Sequence, residues 1–324
     1  MLQCKISNLE GFLFIGDPHI SSRTPGLRKD DFARSILQKI EWCLKSASEN
    51  HLQPVILGDL FHFPKDNANW MLTELCRLLQ VYRPVAIHGN HDCSANELQD
   101  DDSLSILHSA GLLPILDRDG PWTGIIDGAD VMLGGTSWGQ KIPRNIDPID
   151  YGLPDTTRSI WLTHHDLIVS GYEESGRIKP REILGIDIVI NGHLHHPVEP
   201  TVTGGTRWLV PGNISRVKNS DATAQFRPQV LSLRLKDGHW TETMTEVPHE
   251  SFEDVFHSTI RDTQNEAQSL SGVVRGLKQL IKTRTQTGAM LDSFLTENFK
   301  ELEVPQDIQN EISQLKKEVL ANDE

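Results

Sequence analysis

Five short apolar runs, each ending in a cluster of polar residues, constrain the fold of this chain more than any other feature. The clusters are Gly16-Asp17-Pro18-His19, Gly58-Asp59-Leu60-Phe61-His62, Gly89-Asn90-His91-Asp92, Thr163-His164-His165-Asp166 and Gly192-His193-Leu194-His195. Longer amphipathic segments lie between several of the runs, an alternation typical of an α/β fold with a largely buried sheet. Strand ends in such a sheet project their loops into one crevice, so we expect the clusters to converge in space.

The spacing of apolar residues predicts the individual elements. Strands are predicted over residues 12–15, 54–57, 85–88, 131–133, 160–163, 186–190, 208–210 and 229–235, with a turn at 237–238 and a returning strand. A first helix is predicted to start near Asp30, with Asp30 or Asp31 as its cap, and a second to cover residues 67–82.

The character of the sequence changes near residue 249, where segments rich in strand patterns give way to a polar, helix-prone tail. We therefore predict one domain over residues 1–248 and a helical C-terminal region over 249–324. An amphipathic helix is expected from Val304 onward, packing on this chain or on a partner, because apolar residues recur at steps of three or four. These residues are Ile308, Ile312, Leu315 and Val319. A basic series earlier in the tail is interpreted as a solvated face or, alternatively, as a contact for a phosphate backbone. It consists of Arg275, Lys278, Lys282 and Arg284.

Length and composition restrict the class of protein. With 324 residues the chain can form one large core with a small appendage, or two domains. The N-terminus lacks the pattern of a secretory signal and no apolar run is long enough for a bilayer span, so we expect a cytoplasmic protein with no membrane partner. The formal net charge of −14 argues against attraction to nucleic acid over the whole surface. Bound divalent cations would nevertheless make the field positive locally.

The four cysteines do not suggest a site. Cys4, Cys43, Cys76 and Cys93 are scattered and show no CxxC spacing. We therefore expect reduced, buried thiols rather than disulfides or a thiolate zinc site.

The polar clusters contain the donor types of a metal centre. Asp-x-His and His-x-His place two donors on the same side of an extended backbone. Carboxylate, imidazole and amide donors without thiolate favour manganese, iron or zinc over calcium. Asp59 is the natural bridge, because a carboxylate can hold two cations ~3.5–4 Å apart and a neutral imidazole cannot. Such a pair suits the attack of an activated water on phosphorus.

Several histidines are ambiguous at this stage. Adjacent residues of a strand point to opposite faces, so only one of His164 and His165 can reach the metals, and His164 is preferred. His91 is assigned to catalysis, as a phosphate contact or proton donor. His62 is interpreted either as a substrate contact or as a solvated loop residue. His88 and His196 are interpreted as bystanders.

Together the five blocks resemble the calcineurin-like metallophosphoesterase superfamily over about residues 12–215. The resemblance implies an α/β fold in which a two-sheet β-sandwich is flanked by helices. It also implies two divalent metal ions, with Mn²⁺ expected and Fe, Zn, Mg or Ni as alternatives, and His91 as a catalytic residue. The implied metal ligands are Asp17, His19, Asp59, Asn90, His164, His193 and His195.

Two blocks resemble more narrowly the SbcD-type branch of DNA repair nucleases. They are Gly58-Asp59-Leu60-Phe61-His62 and Pro211-Gly212-Asn213. This resemblance implies a Mn²⁺-dependent DNA exonuclease or endonuclease, with His62 near the scissile phosphate. It further implies an SbcC-type coiled-coil ATPase as partner, docked on the C-terminal helices, with a homodimer as a further arrangement.

Other functions remain open on the sequence alone. The pair His164-His165 stands where the nuclease branch more often has His-Gln, and the chain is acidic and its tail short. These features favour a small-molecule phosphodiesterase or phosphatase acting on a cyclic nucleotide, a nucleotide or a phosphoprotein. A third interpretation, an inert scaffold, is disfavoured because all the ligand positions are intact.

Overall fold

The computed structural model describes residues 2–3, 8–25, 27–95, 97–217 and 219–257. The strands in this part of the chain are β1 (Leu2–Gln3), β2 (Gly11–Ile15), β3 (Leu52–Ile56), β4 (Val85–Ala86), β5 (Trp122–Ile126), β6 (Ala129–Thr136), β7 (Arg158–Thr163), β8 (Ile188–Asn191), β9 (Val198–Thr203), β10 (Thr206–Val210), β11 (Gln229–Lys236) and β12 (His239–Glu246). The helices are α1 (Phe32–Glu49), α2 (Asn69–Tyr82), α3 (Ser103–Ser109), α4 (Leu116–Asp119), α5 (Asp221–Gln225) and α6 (Phe252–Val255), with a 3₁₀ helix over Pro148–Tyr151.

The strands form two mixed sheets. The larger has the order β1-β5-β6-β7-β8-β10-β9, and the smaller has the order β12-β11-β2-β3-β4. Strands β2, β3 and β4 are parallel, as are β6, β7, β8 and β10. All five polar clusters follow the carboxyl ends of these parallel strands, which explains why they meet at one place.

Strands β2 and β3 of the smaller sheet are buried on both faces. Phe12 and Phe14 of β2 belong to a core shared with the larger sheet, where Trp122 and Ile160 lie. Leu13 belongs to a second core formed with α1 and α2. Because both faces are covered, β2 and β3 consist of continuous apolar runs rather than alternating ones. A third core covers the outer face of the larger sheet. The predicted α/β class with two sheets and flanking helices is confirmed.

Helix α1 starts where the sequence indicates, and the choice between two caps is resolved. The Asp31 side chain accepts a hydrogen bond from the backbone N–H of Arg34 at 3.3 Å. Asp30 instead accepts two hydrogen bonds from the buried guanidinium of Arg28, at 2.8 Å and 2.6 Å. Asp31 is therefore the N-cap, and Asp30 fixes the chain that leads into the helix.

Some elements differ from expectation. The strand predicted over residues 85–88 is only Val85–Ala86, because the His88 N–H bonds the Ser137 hydroxyl at 3.0 Å rather than a neighbouring strand. Strands β5 and β9 were not predicted, because half-exposed residues interrupt their apolar pattern.

The described structure continues beyond the predicted boundary at residue 249. The Lys29 N–H donates to the Val255 carbonyl at 2.9 Å, and the His257 N–H donates to the Leu27 carbonyl at 3.0 Å. By contacts the chain divides into Met1–His257 and Ser258–Glu324. The terminal helix and the basic series predicted for the tail lie outside the described residues, so the division at 249 stays a prediction.

Two further expectations concern the whole chain. Cys43 and Cys93 are buried free thiols and Cys76 is a half-buried one, whereas Cys4 lies outside the described residues. Among the helices described, none combines the length and apolar character needed to cross a bilayer.

Candidate metal centre

The loops that follow the parallel strands bring the seven predicted metal ligands to one place. Asp17 and His19 follow β2, Asp59 follows β3, and Asn90 follows β4. His164 comes directly after β7, and His193 and His195 follow β8. Asp17, His19, Asp59 and His164 are buried, whereas Asn90, His193 and His195 are half-buried.

Four of these residues have left-handed backbone conformations. Their φ angles are 38° at Asp17, 51° at His19, 47° at Asp59 and 70° at His193. Each costs about 1–3 kcal/mol in a residue other than glycine, and such strain concentrates at functional sites. These strained backbone conformations therefore place the four side chains in the site at a cost in backbone stability.

One set of donors consists of Asp17, His19 and His195, whose ligand atoms lie within 4.8 Å of one another. Nε2 of His19 lies 3.0 Å from Nε2 of His195. The same His19 atom lies 3.7 Å from Oδ2 of Asp59.

A second set consists of Asp59, His164 and His193, again within 4.8 Å. Nε2 of His164 lies 3.4 Å from Oδ2 of Asp59 and 3.8 Å from Oδ1 of Asp17. Nδ1 of His193 lies 3.0 Å from Oδ1 of Asn90, which adds an amide oxygen to this set. Oδ2 of Asp59 is thus close to a histidine of each set, the position that a bridging carboxylate needs.

The tautomer of His164 leaves a lone pair directed at the carboxylates. Its Nδ1–H donates to the carbonyl of Leu57 at 2.7 Å, so Nε2 is unprotonated in the neutral ring. His165 points elsewhere, because its Nε2–H donates to the carbonyl of Gln140 at 2.8 Å. Of the two adjacent histidines, His164 is the one that faces the other ligands.

A hydrogen bond to the far ring nitrogen also fixes the tautomer of His193. Its Nε2–H donates to Oδ1 of Asp166 at 2.7 Å, which leaves Nδ1 unprotonated beside the Asn90 oxygen. A carboxylate that fixes the far nitrogen of a metal-ligating histidine is the usual arrangement in such sites. The indole of Trp138 lies against the same ring, with 5.0 Å between ring centroids.

Unsatisfied polar atoms show that these residues fit divalent cations. Oδ2 of Asp17 and Nε2 of His164 are buried and have no hydrogen-bond partner among the residues that the structure describes. Leaving a buried polar group unpaired costs about 1–3 kcal/mol. Cations held by the two sets of donors would satisfy these atoms and also separate the facing lone pairs of His193 and Asn90.

Burial and mutual charge set the protonation of the buried ligands. Burial raises the pKa of Asp17 to about 7. Burial also opposes the ionisation of Asp59, yet the neighbouring His164 holds the pKa of this carboxyl well below its usual range. Burial alone would lower the pKa of His164, but the Asp59 carboxylate outweighs it and raises this pKa to about 9. Burial lowers the pKa of His19 well below its ordinary value.

The two predicted catalytic histidines lie beside these donors. The backbone N–H of His91 donates to Oδ1 of Asp59 at 2.8 Å, and its Nδ1–H donates to the carbonyl of His62 at 2.9 Å. The His91 and His62 rings stack with centroids 5.2 Å apart. The His91 ring also meets the His19 ring edge-on at 4.8 Å. Nε2 of His91 is therefore the atom left to face a substrate.

Two carboxylates that the sequence pattern did not single out organise the site. Buried Asp92 accepts hydrogen bonds from the N–H groups of Phe61 and Gly89, both at 2.9 Å, and so ties two ligand loops together. Asp166 orients His193. Both lie within the polar clusters, so their position was a signal, but their partners could be found only in three dimensions.

Two cavities open onto the metal centre, and both are lined by His91 and His195. The first, of about 370 Å³, is also lined by Asp59, Tyr172, His193, His196, Asn213, Ser215, Arg216, Val217, Ser220, Thr223 and Phe226. The second, of about 820 Å³, is also lined by His19, Arg23, Thr24, Pro25, Leu27, His62, Phe63, Val217, Asn219 and Ser220. His196, which we interpreted as a bystander, thus lines the first cavity.

Solved structures of several proteins are similar to this chain at low identity. A hypothetical protein from Thermus thermophilus is 12% identical with a TM-score of 0.39, and the match covers 73% of this chain and 99% of that protein. Vacuolar Protein Sorting 29 from Cryptosporidium parvum is 13% identical with a TM-score of 0.30, over 74% of this chain and 100% of that one. A Vps29 double mutant from Entamoeba histolytica is 16% identical with a TM-score of 0.27, over 73% and 100%. Similarities at this level carry no inference about function.

The sequence matches the model of one protein family, although the individual proteins above do not identify a family. No curated protein matches the sequence significantly. The family model for calcineurin-like phosphoesterases matches residues 11–197, which is more than half of the chain and includes every predicted ligand. The chain therefore belongs to the calcineurin-like phosphoesterase family and is a metal-dependent phosphoester hydrolase.

Proposed function

We propose that this chain hydrolyses phosphodiesters in DNA as a Mn²⁺-dependent nuclease of SbcD type. The observation that carries the proposal is the pair of cavities that meet at His91 and His195. A phosphodiester has a substituent on each side of the reacting phosphorus, and a phosphomonoester has only one. Two cavities at one metal centre therefore suit a diester with extended groups on both sides.

The residues around the centre have distinct roles in this reaction. When bound, the two cations stabilise charge on the phosphoryl oxygens and supply an activated water. Asp59 belongs to the second donor set and lies 3.7 Å from His19 of the first, and the hydrogen bond that it accepts from the His91 backbone fixes the loop that carries His91. In its imidazolium form His91 donates the Nε2 proton to the leaving oxygen, because its ring lies against the ligand His19 and its Nε2 is not used by the His62 contact. His62, which stacks on His91, contacts the flanking phosphate.

The choice of DNA as substrate is supported by residues on one side of the centre. His62, Arg23 and Phe63 all line the larger cavity, which combines cationic and aromatic groups. The formal charge of −14 is not an obstacle at this site, because two divalent cations would reverse its local field. We further propose a cytoplasmic protein whose C-terminal region, residues 249–324, docks on an SbcC-type ATPase that presents the DNA.

A small-molecule phosphodiesterase is the second candidate. The cavity of about 370 Å³ beside Asn213 and Ser215 is in the size range of small-ligand sites. The pair His164-His165 and the overall acidity also favour this alternative.

The 324-residue chain with Mn²⁺ should be tested on linear duplex DNA, on single-stranded DNA and on methyl p-nitrophenyl phosphate, a small diester without a base. We expect kcat/KM for at least one DNA substrate to exceed that for the small ester by about 100-fold or more, because remote contacts add transition-state binding. The matched control is Asp59→Asn prepared identically, which removes contaminating nuclease as an explanation. Hydrolysis of the small ester without DNA cleavage would overturn the nuclease proposal in favour of the second candidate.

A further inference from the structure

The larger cavity contains an exposed aromatic side chain close to the reacting centre. Phe63 is 39% exposed and lies directly after His62 in the loop that follows β3. It lines the same cavity as the metal ligands His19 and His195. Part of the Phe63 ring is therefore accessible to a ligand bound in this cavity.

A series of ring contacts connects Phe63 to the metal ligands. The Phe63 ring meets the His62 ring edge-on with centroids 4.6 Å apart. The His62 ring in turn lies 5.4 Å from the ring of His19. The His62 ring is the one ring between Phe63 and the metal ligand His19. Phe63 is therefore within reach of the nucleoside attached to a phosphate bound at the metal centre.

Arg23 lies over the Phe63 ring and is only weakly held there. Its guanidinium carbon is 5.4 Å from the centroid of the ring. Its ion-pair partner is Asp66 at 4.0 Å, and the two side chains are 67% and 81% exposed. An exposed pair of this kind contributes about 0–1 kcal/mol, so the guanidinium can move aside for a ligand at little cost.

The backbones that carry the two side chains are fixed. The Arg23 N–H donates to the Ser21 hydroxyl at 3.0 Å, and that hydroxyl donates to the Arg23 carbonyl at 2.8 Å. The Phe63 carbonyl accepts a hydrogen bond at 3.0 Å from the side chain of Asn67, whose amide also donates to Ser103 at 3.0 Å. The site therefore combines backbones held by hydrogen bonds with one exposed and weakly paired cationic side chain.

We propose that the nucleobase next to the scissile phosphate stacks on Phe63, with the guanidinium of Arg23 covering the outer face of the base. The proposal rests on the nuclease function and deepens it by assigning a site for the base. Aromatic rings and guanidinium planes are the groups on which unpaired bases stack, and the binding is tolerant of sequence. The site thus takes a nucleotide whose base is unpaired, and Arg23 adds attraction for the adjacent phosphate.

The test combines variants of the protein with a change in the substrate. Kinetics are measured on a single-stranded oligonucleotide with one scissile site, and on the same oligonucleotide with an abasic residue on the 5′ or the 3′ side of that site. Phe63→Ala should lower kcat/KM for the intact oligonucleotide by about 5- to 100-fold, the range that stacking of one base supplies. Phe63→Trp should retain most of the wild-type kcat/KM. The kcat/KM of Arg23→Ala should lie between those of Phe63→Ala and Phe63→Trp.

One of the two abasic substrates should lower kcat/KM of the wild-type protein by about the same factor as Phe63→Ala does on the intact oligonucleotide. On that abasic substrate, Phe63→Ala should cause little further loss. This lack of additivity is the expected result if the base and the ring contact each other. The loss caused by Phe63→Ala on methyl p-nitrophenyl phosphate should be at least fivefold smaller than on the oligonucleotide, since the small ester has no base.

Trp70 and Arg34 provide a matched control. They form a similar exposed pair, with the guanidinium carbon 5.5 Å from the ring centroid, but line neither cavity of the metal centre. Trp70→Ala and Arg34→Ala should leave the cleavage of every substrate unchanged.

The failure of this proposal is distinguishable from the failure of the nuclease function. Equal losses from Phe63→Ala on intact and abasic substrates, or no loss on either, would overturn the stacking site while leaving the nuclease intact. A wild-type protein that hydrolyses the small ester and neither duplex DNA nor any oligonucleotide would overturn the nuclease function and this site with it, whereas cleavage of duplex DNA alone would overturn only this site.

Discussion

A histidine can bind a metal only through a nitrogen that carries no proton, and in this site a second hydrogen bond selects that nitrogen. The carbonyl of Leu57 accepts a hydrogen bond from His164 Nδ1–H, and the Asp166 carboxylate accepts one from His193 Nε2–H. Residue types and spacing marked the polar clusters, and the resemblance to the calcineurin-like family supplied the set of predicted ligands. The hydrogen-bond partners were not predictable, because they lie far away in the sequence or on the opposite side of the ring.

Replacing Asp166 tests this orienting role. Asp166→Asn should weaken Mn²⁺ binding by about 10- to 100-fold, the usual effect of losing such a carboxylate, while activity at saturating metal is largely retained. Isothermal titration of the metal-free protein measures the affinity. Asp155, which is exposed on the surface, gives the control Asp155→Asn. An unchanged affinity in Asp166→Asn would mean that the hydrogen bond does not orient His193.

His91 allows catalysis to be separated from metal binding. His91→Ala should lower kcat by about 10²- to 10⁴-fold, the range of general acid catalysis, with little change in metal content. The loss should be smaller for a substrate with a good leaving group such as p-nitrophenolate, which needs no proton. If metal and activity disappear together, His91 is a ligand and our assignment is wrong.

At the scale of elements, the site depends on strand ends that pass very close to one another. A Cβ on Gly89 would lie 2.5 Å from the Asp59 backbone nitrogen and 2.6 Å from Nε2 of His164. A Cβ on Gly192 would lie 2.9 Å from Nδ1 of His164. Four of the five polar clusters open with glycine, and at three of these positions, Gly58, Gly89 and Gly192, an added Cβ would clash with His164.

Gly89→Ala should therefore abolish binding of at least one metal ion, because the added methyl group displaces Asp59 or His164. Gly205→Ala is the control, since an added Cβ there has only an ordinary contact at 3.4 Å with Glu182. Metal content and near-ultraviolet circular dichroism distinguish a local change from unfolding. A Gly89→Ala protein with full metal content would show that the loops have more space than the structure indicates.

The same packing explains how far the elements could be predicted from the sequence. Strands β2, β3 and β8 are buried on both faces, so continuous apolar runs marked them clearly. Strand β9 lies at the edge of its sheet, and its exposed positions hide the pattern. The presence of two sheets followed from the family resemblance rather than from periodicity, and the pairing of the strands was not predicted.

At the scale of the whole molecule, the buried acidic site couples metal binding to pH. In the metal-free protein, burial raises the pKa of Asp17 to about 7, above its value of about 3.9 in an unfolded chain. Such a group contributes stability that is complete below the unfolded pKa and is lost as the pH rises through about 7. The His164 pKa, raised to about 9 mainly by Asp59 against the opposing effect of burial, acts in the same direction at higher pH.

Metal binding removes these protons, because the ligands must be deprotonated. The increase in Tm on addition of excess Mn²⁺ should therefore be larger at about pH 8 than at about pH 6. Scanning calorimetry with chelator or with metal at each pH measures the difference. An equal increase at both values, or a larger one at the lower pH, would mean that Asp17 and His164 are already deprotonated before the metal binds.

Two cations held by one bridging carboxylate are the central claim, and counting the bound ions tests it most directly. After equilibrium dialysis against Mn²⁺ and analysis by mass spectrometry, the wild-type protein should hold about two ions per chain. His195→Ala, which affects only the set with Asp17 and His19, should retain about one ion and lose hydrolysis. One ion or none in the wild-type protein, or undiminished hydrolysis after the metal is removed, would contradict the account.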